Sequence, residues 1–208
     1  MPRARRLTIK AVLETAVELE KKSMALYTLF VRAFKMPADL RRFWFNMARH
    51  EAAHCGTLSL VENVLEMEPE LVGSRTVSFD PQIVVRLRSL LSAYLREAKS
   101  GVGLQRAFEM ALDIESSEFE DVVVDLLQVI RDPLWHDEAM KVLIHDVGDM
   151  SYMIEKFTHD EALLRRADEL VERRVRRATR LRPRRTAQAD REGTRRAARG
   201  QRRRLPSP

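Results

Sequence analysis

Acidic side chains recur at a fixed spacing, in helix positions that would be apolar if they only built a core. Glu20 and Glu115 lie 95 residues apart, and each is followed after 31 residues by a second acidic residue, Glu51 or Asp146. On a helix, residues that alternate four and three apart line one face. The repeat therefore predicts two equivalent pairs of helices, each carrying carboxylates on its buried face.

Four stripes of this kind occur, and each is apolar at both ends and acidic in the middle. The first two are Ile9, Leu13, Ala16, Glu20, Ser23, Tyr27, Phe30, Phe34 and Leu40, Trp44, Met47, Glu51, His54, Leu58, Val61, Leu65. The other two are Leu104, Phe108, Ala111, Glu115, Glu118, Val122, Leu126, Val129 and Trp135, Ala139, Val142, Asp146, Asp149, Met153, Phe157. When the four helices pack side by side, the acidic middle parts of the stripes form one layer. This layer holds Glu20, Glu51, His54, Glu115, Glu118, Asp146 and Asp149.

Six carboxylates cannot all be charged in a dry interior, because each uncompensated ion costs several kcal/mol. Either several of them are protonated or cations lie among them, and two divalent ions would offset four of the six charges. A single Glu-x-x-His pair such as Glu51 and His54 is common on helices and is rarely a ligand pair. Its occurrence within four acidic clusters at matched height favours a metal site.

A Glu on each of two helices and a Glu-x-x-His on each of the other two is the ligand pattern of di-iron bundles. The chain here resembles the rubrerythrin and ferritin-like superfamily over roughly residues 7–158. Glu20 followed by Tyr27, and then Glu51-x-x-His54, resembles the first half of that family. Glu115 followed by Glu118 is similar to the rubrerythrin branch, in which an extra glutamate serves one iron.

The second half departs from the family pattern. Asp146-x-x-Asp149 stands where the family has Glu-x-x-His, so the expected imidazole is missing and the acidic side chain at Asp146 is one methylene shorter. The rubredoxin-like iron domain of full rubrerythrins needs two cysteine pairs, whereas Cys55 is the one cysteine of this chain.

The resemblance implies two iron ions, a homo-oligomer, and the reduction of peroxide or O2 or the oxidation of iron(II). The ligands it implies are Glu20 and His54 on the first ion, Glu51 and Asp146 as bridges, Glu115 and Asp149 on the second ion, and Glu118 as an extra ligand. Tyr27 could donate a hydrogen bond to a ligand carboxylate, or could be a core tyrosine. Whether the chain is an enzyme stays open at this point.

Other readings of the same residues also stay open. The oxygen-rich second half would suit manganese, magnesium or calcium as well as iron, or the bundle could bind one metal only. A degenerate ferritin-like bundle would bind metal weakly and have a structural or interaction role. A third possibility is an iron-carrying or assembly protein that finds its partner through a basic tail.

Helix signals in the sequence predict an all-α, ferritin-like four-helix bundle over residues 1–160. The first helix should run from about Leu7 to Lys35 and the second from Asp39 to about Glu68. Residues 69–80 then form an irregular crossover, and a short helix follows from Pro81 to Lys99. The third helix should run to about Arg131 and the fourth from Pro133 to about Phe157, which gives one long crossover.

Residues 161–208 form an arginine-rich extension, predicted to be helical to about Leu181 and disordered beyond Pro183. From Ala162 onward the chain has 17 arginines, five acids and no lysine, a net charge of +12, whereas the whole chain carries +6. The body before it is therefore acidic. The extension could contact an anionic partner such as nucleic acid. A solubilising extension, or one that folds back on the acidic body, is the favoured interpretation.

Composition predicts a cytoplasmic protein without a membrane segment. No run of 18 apolar residues occurs, and the first residues become amphipathic at once, without an apolar signal core. Cys55 is expected to act as a small apolar residue. His50 and His145 each lie one position before an acidic motif and point about 100° away from it, so neither is expected to be a ligand. His136 and His159 carry no recognisable signal.

Overall fold

The computed structural model describes residues 5–67, 76–117 and 148–181, and these residues are helical apart from two short strands. Helix α1 spans Ile9–Ala33 and helix α2 spans Ala38–Met67. The side chain of Thr8 caps α1 by accepting a hydrogen bond from the backbone N–H of Ala11. Pro37 lies between the two helices, as the sequence predicts. Both long helices of the first half are therefore confirmed.

α1 and α2 pack side by side in opposite directions. The ammonium of Lys10 donates to Glu66 at 2.6 Å, and the thiol of Cys55 lies 3.9 Å from the backbone oxygen of Val17. Contacts early in α1 are thus made with residues late in α2, which defines an antiparallel pair. The predicted stripes are buried in both helices: Ile9, Leu13, Ala16, Glu20, Ser23, Tyr27 and Phe30 in α1, and Leu40, Trp44, Met47, Glu51, His54, Leu58 and Val61 in α2.

A two-stranded antiparallel ribbon precedes α1 and is the main departure from the predicted helical pattern. Strand β1 (Arg5–Thr8) pairs with strand β2 (Thr76–Phe79), with Arg5 opposite Phe79 and Thr8 opposite Thr76. The sequence predicted the first helix from about Leu7 and an irregular crossover over residues 69–80. Strands of four residues are too short for alternation to stand out, although β2 consists largely of strand-favouring residue types. Residues 69–75 lie outside the described residues.

Helix α3 (Pro81–Ser100) and helix α4 (Leu104–Glu115) follow the ribbon. The Asp80 side chain caps α3, and Gly101 follows its end with a φ of 105°. α4 ends at Glu115, so the prediction that this helix continues unbroken to about Arg131 is wrong at Ser116 and Ser117. Serine hydroxyls compete for backbone hydrogen bonds and so favour helix ends. Residues 118–131 lie outside the described residues.

Helix α5 (Gly148–Thr158) and helix α6 (Glu161–Leu181) complete the described fold. The Asp160 side chain caps α6 by accepting from the backbone of Ala162 and Leu163, each at 2.9 Å. The guanidinium of Arg166 donates to Asp113 of α4 at 2.6 Å. The first part of the arginine-rich extension is therefore a helix that folds back on the acidic body. The predicted start of the fourth helix and the predicted disordered tail lie outside the described residues.

The chain divides into two compact units, Met1–Arg174 and Val175–Pro208, so α6 up to Arg174 belongs to the first unit. In the stretches that the structure describes, no helix combines the length and the apolar character needed to cross a membrane.

Candidate metal centre

Three potential metal ligands meet between α1 and α2, halfway along both helices. Glu51 and His54 are three residues apart on α2, a spacing that places them on the same helix face. The antiparallel packing brings Glu20 of α1 opposite them. All three side chains are buried, with only 4, 3 and 7% of Glu20, Glu51 and His54 exposed. We call these three residues the carboxylate–histidine trio.

The trio has the dimensions of an ion-binding site. One ligand atom from each residue can be chosen so that all three lie within 4.8 Å of one another. The Nδ1 atom of His54 lies 3.2 Å from Glu51 Oε2 and 3.6 Å from Glu20 Oε2. These separations permit strong electrostatic attraction, but the atoms are not aligned as hydrogen bonds. A shared cation would satisfy several lone pairs at once.

Unsatisfied polar atoms mark the trio as a binding site rather than as a completed polar network. Within the described part of the chain, Glu20 Oε1, Glu51 Oε2 and both ring nitrogens of His54 are buried without a hydrogen-bond partner. Buried polar atoms are nearly always satisfied in folded proteins, because an orphaned group costs about 1–3 kcal/mol. Two carboxylates and one imidazole are ligands suited to iron, manganese and zinc. The trio could therefore hold a metal ion.

Burial and the charges of the neighbouring residues shift the three pKa values of the trio. The pKa values of Glu51 and His54 are raised, and that of Glu20 is lowered. Burial and the adjacent Glu20 carboxylate raise the pKa of Glu51 well above its ordinary value of 4.5. Burial also disfavours the charged form of His54, but the two carboxylates outweigh it and raise the imidazole pKa well above 6.5. Burial likewise opposes ionisation of Glu20, yet Glu51 and His54 together lower its pKa. The raised pKa values of Glu51 and His54 favour their protonated forms, and the lowered pKa of Glu20 favours its carboxylate.

Glu115 lies at the end of α4, and two side chains hold its carboxylate. The hydroxyl of Tyr27 donates to Glu115 Oε1 at 3.0 Å. The Arg174 guanidinium of α6 lies 3.8 Å from Glu115 Oε2 and donates to the Glu115 backbone oxygen at 2.9 Å. Glu115 is near enough to the trio to raise the pKa of Glu51 through its negative charge. The structure thus places Tyr27 on a predicted ligand carboxylate, beside the trio.

The structure does not bring Asp149 into the acidic layer. Asp149 lies in the first turn of α5 and is exposed, whereas Met150, Met153 and Ile154 of the same helix are buried. The predicted stripe assigned Asp149 and Met153 to one face. The observed inward face is turned by one residue, about 100°, which buries two more large apolar side chains instead of a carboxylate. The predicted interior position of Asp149 is therefore not observed, and its role as a metal ligand stays a prediction.

Other predicted residues have mixed outcomes. Glu118 and Asp146 lie outside the described residues, as do His136 and His145. His50 is half-buried beside Arg49, and the described ligand group does not include it. His159 is exposed, and Cys55 is half-buried, where burial raises the pKa of its thiol.

Sequence reasoning missed Arg174 as a neighbour of the site. The available signal was the spacing of Leu163, Ala167 and Leu170, which continues to position 174 at the next helical step. All three of these residues are buried. An arginine that continues a buried stripe needs an acidic partner in the interior, and the acidic layer already supplied candidates.

Comparison of the chain with protein-family models, with curated proteins and with solved structures gives no match in any of the three.

Proposed function

We propose that this chain is a ferritin-like, rubrerythrin-type carboxylate metalloprotein that binds iron at the carboxylate–histidine trio and reacts with peroxide, O2 or iron(II). The observation that carries the proposal is the set of orphaned polar atoms on Glu20, Glu51 and His54, all buried and within ligand distance of one another. A divalent ion would satisfy these atoms together.

The surroundings of the trio suit a metal site shielded from water. Along α1 the residues flanking Glu20 on the buried face are Ala16 and Ser23, and along α2 Met47 and Leu58 flank the Glu51–His54 pair. All four of these residues are at most 4% exposed. A low-dielectric environment strengthens the attraction between ligands and cation. Close packing on both sides also fixes the positions of the three ligands.

The residues of the trio would exchange protons for the ion. The raised pKa values of Glu51 and His54 favour protonation of the metal-free site, and metal binding requires both groups in their deprotonated forms. Iron bound there would supply redox chemistry toward O2 or peroxide. The protein itself contributes fixed ligand positions, exclusion of water and a hydrogen-bond donor, Tyr27, on the neighbouring carboxylate.

The proposed architecture is a four-helix bundle in which α1, α2, α4 and α5 surround the acidic layer. The resemblance of Glu20, Tyr27 and Glu51-x-x-His54 to the family's first half supports it. The expected homo-oligomer, the cytoplasmic location and an anionic partner for the arginine-rich tail stay predictions from the sequence.

A second candidate is a bundle of the same ancestry that binds one ion and has a structural or interaction role. Two observations favour it. Asp149 is exposed, and Glu115 is already held by Tyr27 and Arg174. The two candidates agree on the trio and differ in redox turnover.

Metal titration of the full-length protein tests the proposal. Under anaerobic conditions, iron(II) and manganese(II) should bind the wild-type chain, and Glu51→Gln should abolish binding. Glu66→Gln is the matched control, because Glu66 lies on the same helix but is exposed and pairs with Lys10. Absence of binding by the folded wild-type protein would contradict both candidates.

Turnover separates the two candidates. If the first candidate is correct, the iron-loaded protein should consume O2 or hydrogen peroxide much faster than free iron(II) does at the same concentration. Tight binding with no added turnover would leave the single-ion bundle as the better account.

A further inference from the structure

One face of α2 is exposed to solvent and yet consists mostly of apolar and small residues. Seven positions spaced three and four residues apart form it, and we call them the outer face of α2: Phe45, Arg49, Ala52, Gly56, Leu60, Asn63 and Met67. All seven residues are exposed, and Phe45, Leu60 and Met67 are 56, 44 and 81% exposed. The solvent face of a helix is normally polar or charged. The composition of the outer face is therefore that of a contact surface.

The outer face is symmetric about Gly56. The other six residues form three pairs at four, seven and eleven positions on either side of it: Ala52 with Leu60, Arg49 with Asn63, and Phe45 with Met67. If two copies of α2 cross in opposite directions at Gly56, each residue meets its counterpart on the other copy. Leu60 then faces the small side chain of Ala52, and Phe45 faces Met67. The outer face is thus complementary to itself in size and polarity.

Gly56 leaves room for a close approach at the centre of this face. A Cβ atom added to Gly56 would meet nothing within 4 Å. Glycine inside a helix is unfavourable relative to alanine, and the fold of the single chain does not require it at this position. The distance between two packed helices depends on the side chains at their crossing point, so a glycine there allows the closest contact.

The charges along α2 favour an antiparallel arrangement of two copies. The first half of the helix carries its three arginines, and the second half carries its two accessible glutamates: Arg41, Arg42 and Arg49, then Glu62 and Glu66. Asp39 in the first half and Lys10 beside the second reduce these charges by one each and do not reverse them. The helix dipole adds positive charge at the first end and negative charge at the other. Antiparallel copies therefore place unlike charges opposite each other.

We propose that the outer face of α2 is the contact surface of a symmetric homodimer, in which two copies of α2 pack antiparallel and cross at Gly56. From Phe45 to Met67 the contact extends over about 33 Å of helix. It includes no residue of the carboxylate–histidine trio, so the inference does not depend on the proposed function. It assigns a surface to the homo-oligomer that the sequence predicts.

Sedimentation equilibrium of the full-length protein tests the inference. Wild type should be a dimer at about 10 µM chain. Gly56→Leu places a bulky side chain at the crossing point and should raise the dimer dissociation constant at least about tenfold, as overpacking of a close contact does. Glu155→Leu is the matched control, because it adds the same side chain at an exposed position of α5, and it should leave the dissociation constant unchanged.

The Gly56→Leu variant should remain folded. Leucine forms helices better than glycine does, and the space around Gly56 is open in the single chain. At concentrations where the variant is monomeric, its thermal unfolding temperature should equal or exceed that of monomeric wild type. Loss of the dimer is then separated from loss of the fold.

Arg49 and Asn63 test the antiparallel register. Within one chain they are 14 positions and about 21 Å apart along α2, so they do not touch each other. Asn63→Glu offers a carboxylate to Arg49 of the other copy at both ends of the contact and should tighten the dimer about threefold. In an Arg49→Glu background the same substitution should weaken the dimer, because like charges then face each other.

Each contrary result overturns a stated part of the inference. Wild type that remains monomeric up to about 100 µM overturns the dimer and leaves the outer face to an occupant other than a second copy. A dimer that Gly56→Leu does not weaken overturns the assignment of the contact to this face. A change of the same sign for Asn63→Glu in both backgrounds overturns the antiparallel register.

Discussion

The two halves of the acidic layer reach charge balance in different ways. In α1 and α2, Glu20, Glu51 and His54 are buried against one another and leave polar atoms unsatisfied. In the second half, Glu115 is satisfied by Tyr27 and Arg174, and Asp149 is exposed to solvent. Among the described residues, the repeated sequence pattern is therefore not matched by a repeated arrangement of side chains. The first half leaves ligand atoms without hydrogen-bond partners, whereas in the second half a guanidinium lies against the carboxylate.

The largest expected effect is the difference in metal affinity between a variant that lacks a carboxylate of the first half and one that lacks a carboxylate of the second half. Glu51→Ala should weaken iron(II) or manganese(II) binding by at least about 100-fold, since even residues that only support metal ligands contribute 10- to 100-fold. Asp149→Ala should leave the affinity unchanged, because this side chain is exposed. Isothermal titration of both variants measures the difference. A comparable loss in Asp149→Ala would show that the second half contributes a ligand after all.

The next effect concerns the stability of the metal-free protein as a function of pH. The folded-state pKa values of Glu51 and His54 are raised above 4.5 and 6.5, so the stability linked to both groups is lost as pH rises through their folded pKa values. The pKa of Glu20 is lowered, so this group keeps its contribution to stability at every pH above its ordinary pKa. Metal-free protein should therefore be less stable at pH 8 than at pH 5.5, by a few kcal/mol, the order of one uncompensated buried charge.

Denaturant unfolding of chelator-treated protein at the two pH values measures this loss. Bound manganese(II) should reverse the trend, since metal affinity increases as the ligands lose their protons. Glu51→Gln should reduce the pH dependence of the metal-free protein, because the amide does not ionise and His54 alone of the two raised groups still titrates. A flat profile in wild type would mean that water reaches the trio and screens its charges.

The smallest expected effect is seen by comparing two tyrosines. The hydroxyl of each donates a hydrogen bond to a carboxylate. Tyr27 donates to Glu115 beside the trio, whereas Tyr94 of α3 donates to Asp113. Tyr27→Phe and Tyr94→Phe should each reduce the free energy of unfolding by about 1 kcal/mol, the usual worth of one hydrogen bond. Only Tyr27→Phe should also change metal affinity. Equal metal affinities in the two variants would argue that Glu115 is not coupled to the site.

The sequence predicted the first half of the site because two long helices carry continuous, unambiguous stripes. Each stripe in α1 and α2 has one acidic position among large apolar residues, so only one helix phase buries the apolar set. Burial of Trp44 and Tyr27 on these stripes confirms that phase.

The second half was harder to predict, because the sequence of α5 is compatible with burial of either of two helix faces. Asp149 with Met153 defines one face, and Met150 with Ile154 defines another that lies one residue away. Packing decides between these phases, and local pattern does not. The role of Arg174 was hidden for a related reason: its partner Glu115 lies 59 positions away in the chain. A tail rich in arginine gives no local sign of which cation turns inward.

The aromatic cluster next to the trio gives the protein an optical readout of its own. Trp44 is one of two tryptophans in the chain, and its ring stacks on Tyr27 with centroids 6.1 Å apart. Tyr27 in turn donates to Glu115. Trp44 also lies seven residues before Glu51 on α2, about 10.5 Å along the helix axis, so a paramagnetic ion bound at the trio would lie within quenching range of the indole. In a Trp135→Phe background, emission would come from Trp44 alone, and occupancy of the site could be followed in real time without any added dye.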